Sequence, residues 1–154
     1  IGCMVITCSD TRTPDTDGSG RLIKDLLQQQ GHQIVAYHLV KDEPADITAR
    51  IREALQSDAI QAIIVNGGTG ISRRDSTFEA VDGLLEKRLD GFGEIFRYLT
   101  YQDIGSPAIM TRATAGIVKG RILFSTPGSE NAVRLAMEKL ILPELGHLVK
   151  ELTK

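Results

Sequence analysis

Three glycines in four positions, Gly67-Gly68-Thr69-Gly70, follow the apolar run Ala62-Ile63-Ile64-Val65 after a single Asn66 and lead into Arg73-Arg74-Asp75. A short apolar run that ends in such a cluster reads as a buried strand feeding a tight loop. Glycine lets the backbone approach a ligand closely, and consecutive exposed N–H groups can converge on phosphate oxygens. A carboxylate at Asp75 beside that cradle suits a metal-bound nucleotide, because the acid can hold the metal while the backbone holds the anion. The plain alternative is a strand-to-helix turn that binds nothing. No lysine follows the last glycine, so the Walker pattern is absent, and the glycine spacing differs from the dinucleotide fingerprint.

The segments around this loop repeat one alternation. Met4 to Cys8 is a β-rich run ending at Ser9-Asp10, and a polar stretch continues to Gly20. Apolar residues at Leu22, Ile23, Leu26 and Leu27 recur at helical spacing between about Ser19 and Gln30, with Gly31 as a C-terminal stop. Gln33 to Val40 reads as a strand, and Pro44 opens a helix whose inward face includes Ile47, Ile51 and Leu55. After the glycine loop, Ser76-Thr77-Phe78-Glu79 fits a capping box for a helix running to about Glu86. The next helix is expected from about Phe92 to Ile104, with Ile95, Phe96 and Leu99 buried. Ala115 to Val118 and Arg121 to Ser125 flank Lys119-Gly120, the spacing of a two-residue hairpin. A helix from Glu130 to Leu140 and another from Pro143 complete the chain.

Strands alternating with helices predict an α/β fold: a mostly parallel sheet covered on both faces, with one small antiparallel hairpin in the C-terminal third. A length of 154 residues suits a single domain, 1–154. The net charge of −2, from 18 basic and 20 acidic residues, gives no electrostatic footprint for nucleic acid. No apolar run is long enough to span a membrane, and no charged-then-apolar leader precedes the first strand. The chain opens on isoleucine, so a short N-terminal piece is expected upstream. Cys3 and Cys8 sit too far apart on one extended strand to pair, which points to a reduced, cytoplasmic protein.

In such a sheet the ligand loops lie at the carboxyl ends of the strands. Four loops qualify: Ser9 to Gly20, Lys41-Asp42-Glu43, Gly67 to Asp75, and Thr126-Pro127-Gly128-Ser129. Asp10, Asp17, Asp42 and Asp75 lie on three of them. Each has an ordinary reading as a turn, cap or helix-start residue, and their gathering on neighbouring loops favours a shared site. His32, His38 and His147 lack metal-ligand spacing, and neither cysteine has an activating histidine nearby, which argues against zinc and covalent chemistry. Glu94 and Arg97, one helical turn apart, read as a surface pair beside Gly91-Phe92-Gly93.

Taken together, Gly67-Gly68-Thr69-Gly70 with Arg74-Asp75, Gly91-Phe92-Gly93-Glu94 with Phe96-Arg97, and Pro127-Gly128-Ser129 resemble the MoaB/MogA family of molybdenum cofactor biosynthesis proteins, relatives of the gephyrin G domain. Arg112-Ala113 and Ala115-Gly116 add a weaker block, and the likeness covers nearly the whole chain. It implies a three-layer α/β/α sandwich that binds molybdopterin and, in active members, adenylylates it with Mg-ATP, releasing pyrophosphate. By family position, Asp75 and Asp42 are the catalytic acids and the Mg²⁺ ligands. Gly67, Gly68, Thr69 and Gly70 hold phosphate. Ser9, Asp10 and Asp17 shape the pocket, with Glu94, Arg97, Pro127, Gly128 and Ser129 as further lining. The resemblance also implies a homo-oligomer, trimer or hexamer, in transient contact with other molybdenum cofactor enzymes. Phe78 departs from the proline many relatives carry there. A noncatalytic pterin-binding or scaffold protein is the rival reading, and a flavin protein a more distant one.

Overall fold

The structure is a computed structural model that describes residues 1–154. Its strands are β1 (Gly2–Cys8), β2 (Gln33–Val40), β3 (Ala62–Asn66), β4 (Lys87–Arg88), β5 (Thr114–Val118) and β6 (Arg121–Thr126). The helices are α1 (Gly18–Gln29), α2 (Pro44–Ala54), α3 (Thr77–Asp82), α4 (Asp90–Ile104), α5 (Glu130–Ala136) and α6 (Leu142–Leu152). The six strands form one sheet in the order β2-β1-β3-β6-β5-β4. β2, β1, β3 and β6 pair in parallel, while β5 runs against both of its neighbours. The β5–β6 hairpin turns at Lys119-Gly120, both with positive φ, as a right-twisted two-residue connection requires.

Strand alternation divides the interior into two layers. Cys3, Val5, Ala62, Ile64, Ile122 and Phe124 face one side of the sheet, where Ile23 and Leu27 of α1, Phe92 and Phe96 of α4, and the α5–α6 residues Val133 and Leu145 cover them. Met4, Ile6, Cys8, Ile63, Val65 and Leu123 face the other side, covered by Ile47 and Ile51 of α2 and Val81 of α3. Because β1 and β3 are buried on both faces, they read as unbroken apolar runs. The same alternation sends Cys3 and Cys8 to opposite layers, both free. No helix is long and apolar enough to cross a membrane.

Several local expectations give way to tertiary forces. The helix after the glycine loop stops at Asp82 rather than Glu86, and Ser76 makes no capping bond. Glu79, which would complete the capping box, instead pairs with the Arg112 guanidinium. That bond is charge-assisted, and it outcompetes a neutral backbone donor. β4 is a two-residue edge strand, exposed and polar, without the apolar alternation that marks a strand in sequence. Helix α4 starts at Asp90 and buries Phe92 and Phe96, whereas Ile95 is 49% exposed, since it lies about a quarter-turn round from Phe96. The final two helices are one run, joined by a π turn over Met137–Ile141 just before Pro143. Proline lacks an N–H and crowds the carbonyl four residues earlier, and the wider turn absorbs both defects.

Phe96 is fully buried, with its ring centroid 6.3 Å from that of Phe92. Phe96→Ala is expected to destabilise the fold by about 3–5 kcal/mol. Urea unfolding followed by circular dichroism measures this as a lower midpoint at unchanged slope.

Candidate functional site

The chain leaves β1 for α1 on one face of the sheet and leaves β2 for α2 on the other. β2 and β3 also lie on opposite sides of β1, so the connections diverge at the carboxyl end of β1 and open a crevice there. The loops after β1, β3 and β6 meet at this crevice with their backbones almost touching. The Gly67 N–H donates to the Thr126 carbonyl at 2.9 Å. A Cβ on Gly67 would sit 2.2 Å from the Cys8 carbonyl oxygen, and one on Gly128 would sit 3.1 Å from the Gly67 Cα. With φ of +96° and +70°, Gly67 and Gly68 adopt the left-handed conformation that side chains resist.

The result is a cavity of about 530 Å³. Ser9, Asp10, Asp42, Gly67, Gly68, Thr69, Gly70, Asp75, Pro127 and Gly128 all line it, as the loop positions anticipate. Sequence reasoning passed over Arg12, Thr11, Met110 and Thr111, which also line it. A basic residue in a polar loop after a strand was the available signal for Arg12, whose guanidinium donates to the Gly128 carbonyl at 2.7 Å. Within the glycine loop, the Gly68 carbonyl accepts from the Thr77 N–H at 3.1 Å. A trans peptide points its N–H opposite to its carbonyl, so the Thr69 N–H is turned away from Thr77. The Gly68, Thr69 and Gly70 N–H groups donate to no acceptor within the chain.

Each of the two leading acids lies against one glycine of this loop. Asp42 Oδ1 is 2.6 Å from where a Gly68 Cβ would stand, and Asp75 Oδ2 is 2.7 Å from that position on Gly70. Asp75 is anchored by the Ser72 N–H at 2.9 Å and the Ser72 hydroxyl at 2.6 Å. Asp42 Oδ1 is buried without a hydrogen-bond partner. Burial, then the neighbouring Asp10 and Asp75 carboxylates, push the Asp42 carboxyl above its ordinary range. Asp10 is held below its own range by the Arg74 guanidinium, which grips it at 2.9 and 3.0 Å and reaches Glu43 at 2.6 Å. The Asp42 N–H also donates to Asp10 at 3.1 Å.

An orphaned carboxylate oxygen beside a second acid is a fitting place for a divalent cation. No group of three or more His, Cys, Asp or Glu side chains is placed to chelate one. Magnesium commonly uses one or two protein carboxylates and completes its shell with substrate phosphates and water, so two acids facing an anion cradle match its needs.

The remaining candidates sit elsewhere. Asp17 is buried as the N-cap of α1, accepting from the Gly20 N–H at 2.9 Å and from the Tyr37 hydroxyl. It touches the cavity only through Arg12, 3.6 Å away. Ser129 caps α5 through the Ala132 N–H at 3.2 Å. Glu94 and Arg97 line a separate depression of about 400 Å³, which meets the first at Thr111. Cys8 lines the cavity, but burial pushes its thiol up to about 12, so it stays protonated and unreactive.

Comparison with known proteins establishes the family and the fold. The family described as "Probable molybdopterin binding domain" matches residues 4–147. Molybdenum cofactor biosynthesis protein B of Halalkalibacterium halodurans is 52% identical over 155 residues, covering 100% of this chain and 91% of that protein. A crystal structure of a molybdenum cofactor biosynthesis protein B superposes with a TM-score of 0.97 at 47% identity, covering 99% of this chain and 96% of that one. The tungsten cofactor synthesizing protein MoaB from Pyrococcus furiosus superposes with a TM-score of 0.90 at 37% identity, covering 99% and 97%. A sheet whose strand ends bring the glycine loop against paired acids, and these likenesses along the whole chain, identify it as a member of the MoaB/MogA family of molybdenum cofactor biosynthesis proteins, with a molybdopterin-binding domain.

Proposed function

We propose that residues 1–154 act as one domain that binds molybdopterin and adenylylates it with Mg-ATP. The observation that carries this reading is the apposition of Asp42 and Asp75 to the Gly67–Gly70 backbone within one cavity. A terminal phosphate oxygen of the pterin substrate bonds to the α-phosphorus of ATP, the bond from that phosphorus to the bridging oxygen breaks, and the electron pair leaves with pyrophosphate. Nucleophile and leaving group are already anionic oxygens, so the step calls for alignment and charge neutralisation more than for a covalent protein group.

The free N–H groups of Gly68, Thr69 and Gly70 supply fixed donors to phosphate oxygens. Arg12, tied to Gly128, adds positive charge to the lining of the same cavity. Asp42 and Asp75 would hold Mg²⁺, which when bound would supply charge neutralisation to the triphosphate. Asp10, paired with Arg74, braces the loop that carries Asp42. An exposed apolar stripe on α4, Ile95, Tyr98, Tyr101 and Ile104, together with Ile109, supports assembly as a homo-oligomer, trimer or hexamer.

Incubation with molybdopterin and Mg-ATP is expected to yield adenylylated pterin and pyrophosphate in equal amounts. Asp75→Asn is expected to lower kcat about a hundredfold or more with an unchanged circular dichroism spectrum. Full turnover in that variant removes Asp75 from the mechanism. Tight pterin binding by the wild-type protein without ATP binding or turnover favours the noncatalytic alternative.

Asp42 yields a stability prediction of the opposite sign to its effect on activity. Its carboxyl is raised in the folded protein, so folding is disfavoured by its ionisation. The penalty is absent below the ordinary aspartate range and complete once pH exceeds the raised folded value. Asp42→Asn is therefore expected to abolish turnover yet raise Tm at pH 7 in metal-free buffer. The gain, limited by partial solvent screening to about 1–3 °C, vanishes near pH 3. Calorimetric scans across pH measure it.

Light scattering checks the assembly. Tyr98→Glu, at a side chain that is 59% exposed, is expected to lower the particle mass without unfolding the chain.

A further inference from the structure

The loop over residues 67–76 is held from behind by one side chain of a distant segment. Arg112, between the turn Ser106–Met110 and β5, donates from Nε to the Thr69 carbonyl at 3.3 Å and from Nη2 to the Asp75 carbonyl at 3.2 Å. Its Nη1 pairs with Glu79, and its guanidinium lies 5.3 Å over the Phe78 ring. One planar group thus ties the loop near its beginning, at its acid and at the helix that follows. Arg112 does not line the cavity that Asp42 and Asp75 face. It lies on two neighbouring depressions, one shared with Glu94 and Arg97 and one, behind the loop, shared with Ser72, Asp75 and Glu79.

Peptide planarity gives these bonds a directional consequence. With the Thr69 carbonyl turned to Arg112, the N–H of the same peptide, belonging to Gly70, must point the other way. The Gly68 carbonyl is turned to Thr77 in the same manner and sets the Thr69 N–H. Glycine-rich backbone has no side-chain sterics to fix its planes, so without these anchors the two N–H groups would sample many directions. We infer that Arg112 is a positioning residue: it sets the amide orientation of the glycine loop before any ligand arrives and acts on an anionic ligand only through that loop. The inference rests on the reading of the loop as a phosphate binder.

Arg112 is itself braced. Arg97 of α4 donates to the carbonyl of the adjacent Ala113 at 3.1 Å. A Cβ on Gly93 would lie 2.7 Å from that carbonyl oxygen and 2.8 and 2.9 Å from the Arg97 guanidinium nitrogens. Bare backbone at Gly93 therefore permits the Arg97 contact, which gives Gly93 and Arg97 a role although neither lines the main cavity. Lysine cannot replace Arg112 in this arrangement, because a single ammonium cannot reproduce a planar fork bonding two carbonyls and a carboxylate.

Calorimetric titration with Mg-ATP and with inorganic pyrophosphate tests the inference. Arg112→Ala and Arg112→Lys are expected to weaken both ligands by about tenfold or more. Glu79→Gln, which leaves both carbonyl bonds in place, is expected to stay within about twofold, since an exposed ion pair contributes little. Millimolar guanidinium ion is expected to restore part of the affinity of Arg112→Ala and to leave wild type unimproved, a rescue that general loss of stability would not show. Wild-type affinity in a folded Arg112→Lys overturns the inference. A wild-type protein that binds neither ligand overturns the phosphate-binding reading instead.

Discussion

Close approach of three backbones at the carboxyl ends of β1, β3 and β6 is the constraint on which the site depends. Gly67 passes so near the Cys8 carbonyl, and Gly128 so near Gly67, that any side chain at Gly67 would force the strand ends apart. The proposed site is built on that junction: the turned-out amides, the acids laid against Gly68 and Gly70, and Arg12 reaching across to Gly128. The sheet supplies the rigidity. Its parallel register brings Cys8, Asn66 and Thr126 to the same edge, and the Asn66 side chain ties β3 to Thr7 at 2.9 Å.

Electrostatics at the junction is deliberately unbalanced. Arg74 pairs with both Asp10 and Glu43, yet Asp42 keeps a buried oxygen without a partner and Asp75 is satisfied only by a serine. An unpartnered buried carboxylate costs stability. The cation proposed for this site would offset that cost by meeting the carboxylates, leaving the amides for the proposed anion.

Much of this was legible in the sequence because its signals are local. Ala62 to Val65 followed by glycines, Pro44 before Ile47 and Ile51, and Lys119-Gly120 between β-rich runs each specify their element without outside help. The loops named as ligand-bearing follow from the sheet, since strand ends at a switch in chain direction must lie together. What escaped has non-local causes. The Ser76–Glu79 capping box is a sound local pattern that a guanidinium 33 residues away dismantles. β4 exists because β5 offers it a partner, and Ile95 is exposed because packing of Phe92 and Phe96 turns a different side of α4 to the core. Asp17 and Ser129 lie on loops that border the cavity, but their side chains cap α1 and α5. Spacing along a chain cannot say which of two adjacent loop residues turns inward.

The alternation of β1 and β3 between the two interior layers has a further consequence for motion. Neither strand belongs to one layer alone, so no helix can peel away with its half of the core and leave the other half intact. Amides of Val5, Ile6, Ile64 and Val65 therefore exchange with solvent deuterium only when the whole molecule opens, whereas those of Lys87 and Arg88 at the margin exchange through local fraying. The glycine loop is rooted in the slowest-breathing part of the protein, and whatever mobility it has begins beyond Asn66.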